Sequence, residues 1–240
     1  MGLICFDLDG TLVDPLLELH RCLGRLCGEF GCPAPERSTV ASWIGYGLRE
    51  GLASVPGLGD PATLDRALDR YAELYESQGL FEHEVYDGVH LLLARLKRQG
   101  HRLYIVSAKP AGYARRITFH FDLNLIFDDI FGSDLKAAWQ PKTVVLERLR
   151  RQGTIWPGGY FIGDRGDDMK AAKDHGLRAV GVTWGYGSKE ELDEAGAEIL
   201  LDSIPELDFW LREALPGASI EFRKSPGAER RGLARVERFT

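Results

Sequence analysis

From Asp87 to Leu215 short apolar runs alternate with amphipathic segments of helical length, and this alternation constrains the fold more than any other feature of the chain. Residues 88–99 have helical spacing and stop at Gly100, and 102–106 read as a strand. A helix at 110–120, a weak strand at 125–131 and a helix at 141–152 follow. Next come a strand at 159–162, a helix at 167–175 and a strand at 179–182. A helix near 189–195, a weak strand at 198–201 and a helix near 205–215 complete the series. Strands spaced by helices of this length predict right-handed crossovers and a parallel sheet with helices on both faces. One more strand fits at 3–7, where Leu-Ile-Cys-Phe-Asp is apolar up to its terminal aspartate, as in a strand buried on both sides. The expected fold class is α/β, with a Rossmann-like parallel sheet core.

Between about residues 14 and 84 the pattern is helical throughout, with Leu16, Leu19, Leu23 and Leu26, then Leu64, Leu68, Tyr71 and Tyr75, at helical spacing. Prolines and glycines from Pro33 to Pro61 divide this stretch into three or four helices, and no good strand stands out in it. The expected organisation is a core of 1–13 and 86–215, a helical insert of 14–85, and an extension of 216–240. The extension has six basic against three acidic residues and few apolar ones, which predicts a loosely attached tail.

Thirty basic against thirty-six acidic residues give a net charge of −6, so no global basic field favours nucleic acid or an anionic membrane. No run approaches the ~20 apolar residues of a membrane span. The N-terminus meets Asp7 too soon for a signal peptide, and Phe6 occupies the position where a myristoylation motif needs Ser or Thr. A cytoplasmic protein acting on small molecules, without nucleic-acid or membrane partners, as monomer or homodimer, is the expectation. Cys5, Cys22, Cys27 and Cys32 match no zinc spacing and read as free thiols. The six histidines show no metal-ligand spacing and receive no chemistry.

Ligands of such sheets bind beyond the carboxyl ends of the strands. The first strand ends in Asp7-Leu8-Asp9-Gly10-Thr11, and the 102–106 strand ends in Ser107-Ala108-Lys109-Pro110. Lys142 stands near the start of a helix, and the 159–162 strand ends in Gly163-Asp164-Arg165-Gly166-Asp167-Asp168. Each fragment alone has a plain structural reading as a turn, a cap or a solvated charge. Together, in this order and at one edge of a sheet, those plain readings no longer account for them.

This constellation resembles the haloacid dehalogenase-like hydrolase superfamily, and within it the phosphoglycolate phosphatase-like branch, over roughly residues 3 to 210. The Asp-x-Asp-Gly-Thr opening, the Gly163-Asp164 element with Asp168, and the stretch Trp184-Gly185-Tyr186-Gly187 carry the resemblance. It implies a Mg²⁺-dependent phosphatase of small phosphate monoesters working through an aspartyl-phosphate. It implies Asp7 as nucleophile and Asp9 as general acid–base. Asp7, Asp164 and the backbone carbonyl of Asp9 would be the metal ligands, with Asp168 behind them, or Asp167 if the loop is one residue tighter. Ser107 and Lys142 would hold the phosphoryl group, and N–H groups near Gly10 and Thr11 its oxygens. Two departures stand out: Ala108 replaces a usual Asn or Ser beside the hydroxyl, and the lysine motif reads Trp139-Gln140-Pro141-Lys142, with Pro before Lys. Lys136 is the alternative lysine.

The insert lies between the first aspartates and Ser107, the position of a C1-type cap, and the thirty-five positions from Ser107 to Lys142 leave no room for a second large one. The stretch Trp43-Ile44-Gly45-Tyr46-Gly47-Leu48-Arg49 resembles the branch's substrate-facing loop. Arg49 is a candidate for a second anion such as a carboxylate, and Lys109 a candidate at the mouth of the site. Phosphoglycolate, nucleoside monophosphates and sugar phosphates are all open as substrates. A phosphomutase and a non-catalytic protein of the same fold are the alternatives.

Overall fold

The structure, a computed structural model, describes residues 2–133 and 141–215. The expectations for Lys136, for Trp139-Gln140 and for the 216–240 extension lie outside the described residues. The strands are β1 (Leu3–Phe6), β2 (Val13–Asp14), β3 (Glu84–Val85), β4 (Arg102–Pro110), β5 (Asp129–Ser133), β6 (Tyr160–Gly163), β7 (Arg178–Val182) and β8 (Ile199–Leu201). Six of them form one parallel sheet in the order β5-β4-β1-β6-β7-β8. β1 is central: Leu3–Phe6 pair with Arg102–Ile105 on one side, and Ile4–Phe6 with Tyr160–Ile162 on the other. The chain adds strands to one side of β1 and then to the other, so the sheet has its switch point there, where a crevice opens at the carboxyl ends.

Because side chains alternate along a strand, β1 feeds two cores. Ile4 and Phe6 pack with Ile105, Ile162 and Val180 under α5 (Val89–Arg98), while Leu3 and Cys5 pack with Phe161 and Ala179 on the opposite face. The second face is covered by α7 (Lys142–Arg151) and α8 (Gly166–Asp174), through Val145, Leu146, Leu149, Met169 and Ala172. The remaining core helices are α6 (Ala111–His120), α9 (Lys189–Glu194) and α10 (Ile204–Ala214).

The insert contains α1 (Leu16–Phe30), α2 (Arg37–Trp43), α3 (Leu48–Ala53) and α4 (Pro61–Leu74), followed by a π-helical turn at Tyr75–Gly79. α4 starts where local chemistry requires: the Asp60 carboxylate accepts the Thr63 N–H, and Pro61 follows it. The four helices bury their own apolar cluster, including Leu23, Leu26, Val40, Leu52 and Leu58.

Three differences from the sequence reading have local causes. The insert was expected to hold no strand, yet Val13–Asp14 pairs antiparallel with Glu84–Val85 and ties its two ends together. A two-residue ribbon is too short to leave a periodic trace. The strand expected at 125–131 begins only at Asp129, because Leu123 and Phe127 enter the core from a loop and Leu125 points to solvent. Apolar loop residues imitate a strand in sequence. The strand expected to end at residue 106 runs to Pro110, with its pairing to β5 shifting register between Val106 and Pro110. All four cysteines are free thiols. No helix among the described residues is long and apolar enough to cross a membrane.

Candidate active site

Asp7 follows β1, Ser107 lies within β4, Lys142 opens α7 and Asp164 follows β6, so four neighbouring elements converge on the switch point. Lys142 is the centre of the cluster. Its ammonium lies 2.7 Å from Asp7 Oδ2 and 2.5 Å from Asp168 Oδ1, and it is fully buried. Burial alone would lower its pKa, but Asp168 and Asp7 outweigh that and hold it above the usual lysine range.

Asp7, Asp164 and Asp168 each offer a carboxylate oxygen within 4.8 Å of the others. Thr11 donates its hydroxyl to Asp164 Oδ1 at 3.0 Å, and the Tyr186 N–H donates to Oδ2 at 2.8 Å. Neither donor is cationic, so burial and the neighbouring Asp7 push the Asp164 carboxyl up to about 7. Asp168 is raised as well, by burial, despite the opposing pull of Lys142. Three buried carboxylates thus share one ammonium, a deficit of two positive charges that a divalent cation would cancel. Asp7 Oδ1 is buried without any hydrogen-bond partner, as a metal ligand or attacking oxygen would be. The donor set is all oxygen, which suits Mg²⁺.

Gly10 has a φ of 83°, and a Cβ there would run into the Asp164 carboxylate, so only glycine lets the two loops approach. A Cβ at Gly185 would meet the same side chain, which explains the close wrap of the Trp184-Gly185-Tyr186 stretch around Asp164. The Trp184 indole N–H donates to the Thr11 carbonyl at 3.2 Å.

Several expected roles need correction. The Gly10 and Thr11 N–H groups were expected to face phosphate, but they donate to the carbonyls of Val13 and Leu8, closing the turn on itself. Among the described residues it is the Leu8 and Asp9 N–H groups that find no backbone acceptor in that turn. Asp167 does not enter the cluster: its Oδ2 accepts the Lys142 N–H at 3.3 Å, at the start of α7. Asp168 turns inward instead, with its second oxygen accepting the Arg165 N–H at 2.9 Å. Ser107 is buried, and its hydroxyl accepts the Lys109 N–H at 3.2 Å. Ala108 lines the cavity with a methyl group and no side-chain donor.

Lys109 is not at the mouth. Its ammonium is buried 3.0 Å from Asp9 Oδ2, 2.8 Å from the Tyr75 hydroxyl and 3.1 Å from His83 Nε2. Burial raises the Asp9 carboxyl above its usual range, and Lys109 opposes that rise. Arg49 borders the cavity but is half exposed and paired to Asp65 at 2.6 Å.

Sequence reasoning missed the groups behind Lys109. His83 is buried 3.8 Å from Asp9 Oδ1, and burial, aided by Lys109, drives its pKa down to about 2, so the ring is neutral. Glu18 lies 3.9 Å from the same ring, and burial pushes its carboxyl up to about 8. The signal for Glu18 was present: an acidic residue on the face of α1 that otherwise buries Cys22, Leu23 and Leu26. For His83, outside any helix and six residues before α5, there was none.

The family model described as haloacid dehalogenase-like hydrolase matches residues 4–182. The chain belongs to that family. It is 34% identical over 190 residues to a 5′-nucleotidase of Pseudomonas aeruginosa, covering 79% of this chain and 86% of that protein. It is 31% identical over 214 residues to phosphoglycolate phosphatase 1 of the same organism, covering 85% and 78%. A crystal structure of a predicted phosphatase from Clostridium acetobutylicum superposes with a TM-score of 0.80 at 32% identity, over 88% of this chain and 98% of that one.

Proposed function

We propose that the protein is a Mg²⁺-dependent phosphatase that hydrolyses a small phosphate monoester through an aspartyl-phosphate on Asp7. The observation that carries this reading is the Lys142 ammonium shared by Asp7 and Asp168, with Asp164 uncompensated beside them. Asp7 and Asp164, with the Asp9 backbone carbonyl, would hold the Mg²⁺, which when bound neutralises phosphate charge and orients the ester.

Asp7 forms a bond to phosphorus as the bond to the leaving alcohol oxygen breaks. Asp9, kept by burial above the usual carboxylate range, gives that oxygen its proton. It then takes a proton from the water that attacks phosphorus, releasing inorganic phosphate and restoring Asp7. Ser107 and Lys142 hold the phosphoryl oxygens, and the Leu8 and Asp9 N–H groups, without a backbone acceptor among the described residues, add donors where charge develops. Asp168 fixes Lys142 from behind. The insert, closed over the crevice, excludes water from the nucleophile. Relatives named for phosphoglycolate and for nucleotides support a small ester as substrate.

The test is hydrolysis of p-nitrophenyl phosphate with Mg²⁺, with excess EDTA, and by Asp7→Asn. EDTA is expected to abolish turnover, and the variant to lose about three orders of magnitude or more in kcat. A wild-type protein inactive with Mg²⁺ on this and every other ester, or an Asp7→Asn variant as active as wild type, overturns the reading.

A further inference from the structure

The crevice above Asp7 and Asp9 opens into a cavity of about 970 Å³ between sheet and insert. That is the upper end of small-molecule sites. The glycolate released from phosphoglycolate is a two-carbon hydroxy acid, which would leave most of this space as water. Much of its wall is apolar and aromatic, formed by Trp43, Ile44, Leu48, Leu68, Tyr71 and Tyr113. Such a wall desolvates a flat ring and gives nothing to a small anion.

Charge separates the alternatives further. Among the described residues the cations bordering the cavity are Lys142, Lys109 and Arg49, and each already lies against a carboxyl group: Asp7 and Asp168, Asp9, and Asp65. Asp69 adds another carboxylate at the outer rim beside Asp65. With Glu18 and the proton-donating Asp9 counted as neutral, Asp65 and Asp69 balance Lys109 and Arg49 among the described residues, so the space for the leaving group offers no net positive charge to a second anion. A second anion on the substrate would displace Asp65 from Arg49, or would have to part the buried Lys109 ammonium from Asp9, Tyr75 and His83. Hydroxyl and N–H donors, by contrast, find acceptors at Asp65 and Asp69 without breaking either pair.

Resting on the phosphatase reading above, we propose that the leaving group is an uncharged alcohol bearing a planar ring, and that the substrate class is the nucleoside 5′-monophosphates. The bond from phosphorus to O5′ breaks, O5′ takes its proton from Asp9, and water supplies the oxygen of the released phosphate. The base lies against the aromatic wall, and the rim carboxylates accept from ribose hydroxyls or base amino groups.

The experiment compares kcat/KM, with Mg²⁺, for AMP, GMP, CMP and UMP, for phosphoglycolate, and for p-nitrophenyl phosphate. At least one nucleotide is expected to exceed phosphoglycolate by about tenfold or more, the order a single well-matched or mismatched pocket provides. Asp65→Asn, on the exposed rim, frees Arg49 and is expected to raise the phosphoglycolate-to-nucleotide ratio several-fold. Trp43→Leu is expected to raise KM for the nucleotide more than for phosphoglycolate. Hydrolysis of p-nitrophenyl phosphate with phosphoglycolate equal to or better than every nucleotide overturns the inference and leaves the phosphatase intact. So does an Asp65→Asn ratio unchanged from wild type. Failure on every ester, p-nitrophenyl phosphate included, overturns the phosphatase itself.

Discussion

Lys142 shows how much one side chain holds at this site. It is buried with two carboxylates against its ammonium, and nothing else cationic among the described residues touches Asp7 or Asp168. Lys142→Met fills similar space but leaves two like charges facing each other out of water. Breaking a buried pair from one side costs about 3–5 kcal/mol. The variant is therefore expected to lose stability in urea unfolding as well as activity, and added Mg²⁺ to restore part of the stability but not the turnover. Glu18 gives a pH signature. Its carboxyl keeps a proton up to about 8 in the folded protein, against 4.5 ordinarily. A raised acid contributes stability that is complete below the unfolded value and lost as pH rises through the folded one. Glu18→Gln cannot ionise, so its thermal midpoint is expected to match wild type near about pH 5 and to exceed it near about pH 9. Equal midpoints at the higher pH would show that Glu18 is ionised without cost.

At the scale of elements, one of the contacts between insert and core is made by the loop after α2. The Tyr46 ring lies 3.9 Å from the Arg165 guanidinium, and its hydroxyl donates to Glu191 at 2.7 Å. Glu191 also accepts the Gly166 N–H at 2.6 Å and pairs with Arg165 at 3.2 Å. A Cβ at Gly45 would press on Arg165, so the loop needs glycine to come this close. Because Arg165 follows Asp164 directly, the latch fastens the insert to the segment that carries a proposed metal ligand. On the other side the Tyr186 hydroxyl donates to Asp14 in the β2–β3 ribbon. Tyr46→Ala removes a ring–cation contact and a charged hydrogen bond, together about 2 kcal/mol. The expected result is a fall of about tenfold in kcat/KM with little change in thermal midpoint. Unchanged kinetics would show that closure does not depend on this loop.

For the whole molecule, the insert and the two faces of the sheet each bury an apolar cluster, and a smaller one of Tyr75, Leu80 and Ile117 joins insert to core. The charge deficit at the site links metal to overall stability. Mg²⁺ at a hundred times its Kd is expected to stabilise the fold by about 2.7 kcal/mol, readable as a shift in the urea midpoint. Asp164→Asn removes one excess charge, so this variant is expected to be more stable than wild type without metal and to gain little from Mg²⁺. A wild-type midpoint indifferent to millimolar Mg²⁺ would count against the ion's place among these aspartates.

The chain order of strands and helices, and the parallel sheet they form, were determined by sequence alone, because hydrophobic period and crossover handedness are local properties of the backbone. The same holds for the edge at which Asp7, Ser107 and Asp164 emerge: a residue at the carboxyl end of a parallel strand has nowhere else to project. What the turn does with its own N–H groups at Gly10 and Thr11, and which of Asp167 and Asp168 faces inward, depended on the close packing of loops far apart in the chain. The destination of Lys109 was least legible. Its long stem reaches in any direction, and its partners Asp9, Tyr75 and His83 come from three separate segments. Only the tertiary structure brings those segments together, because the energy of a buried ion pair depends on which groups surround it and not on its position in the chain.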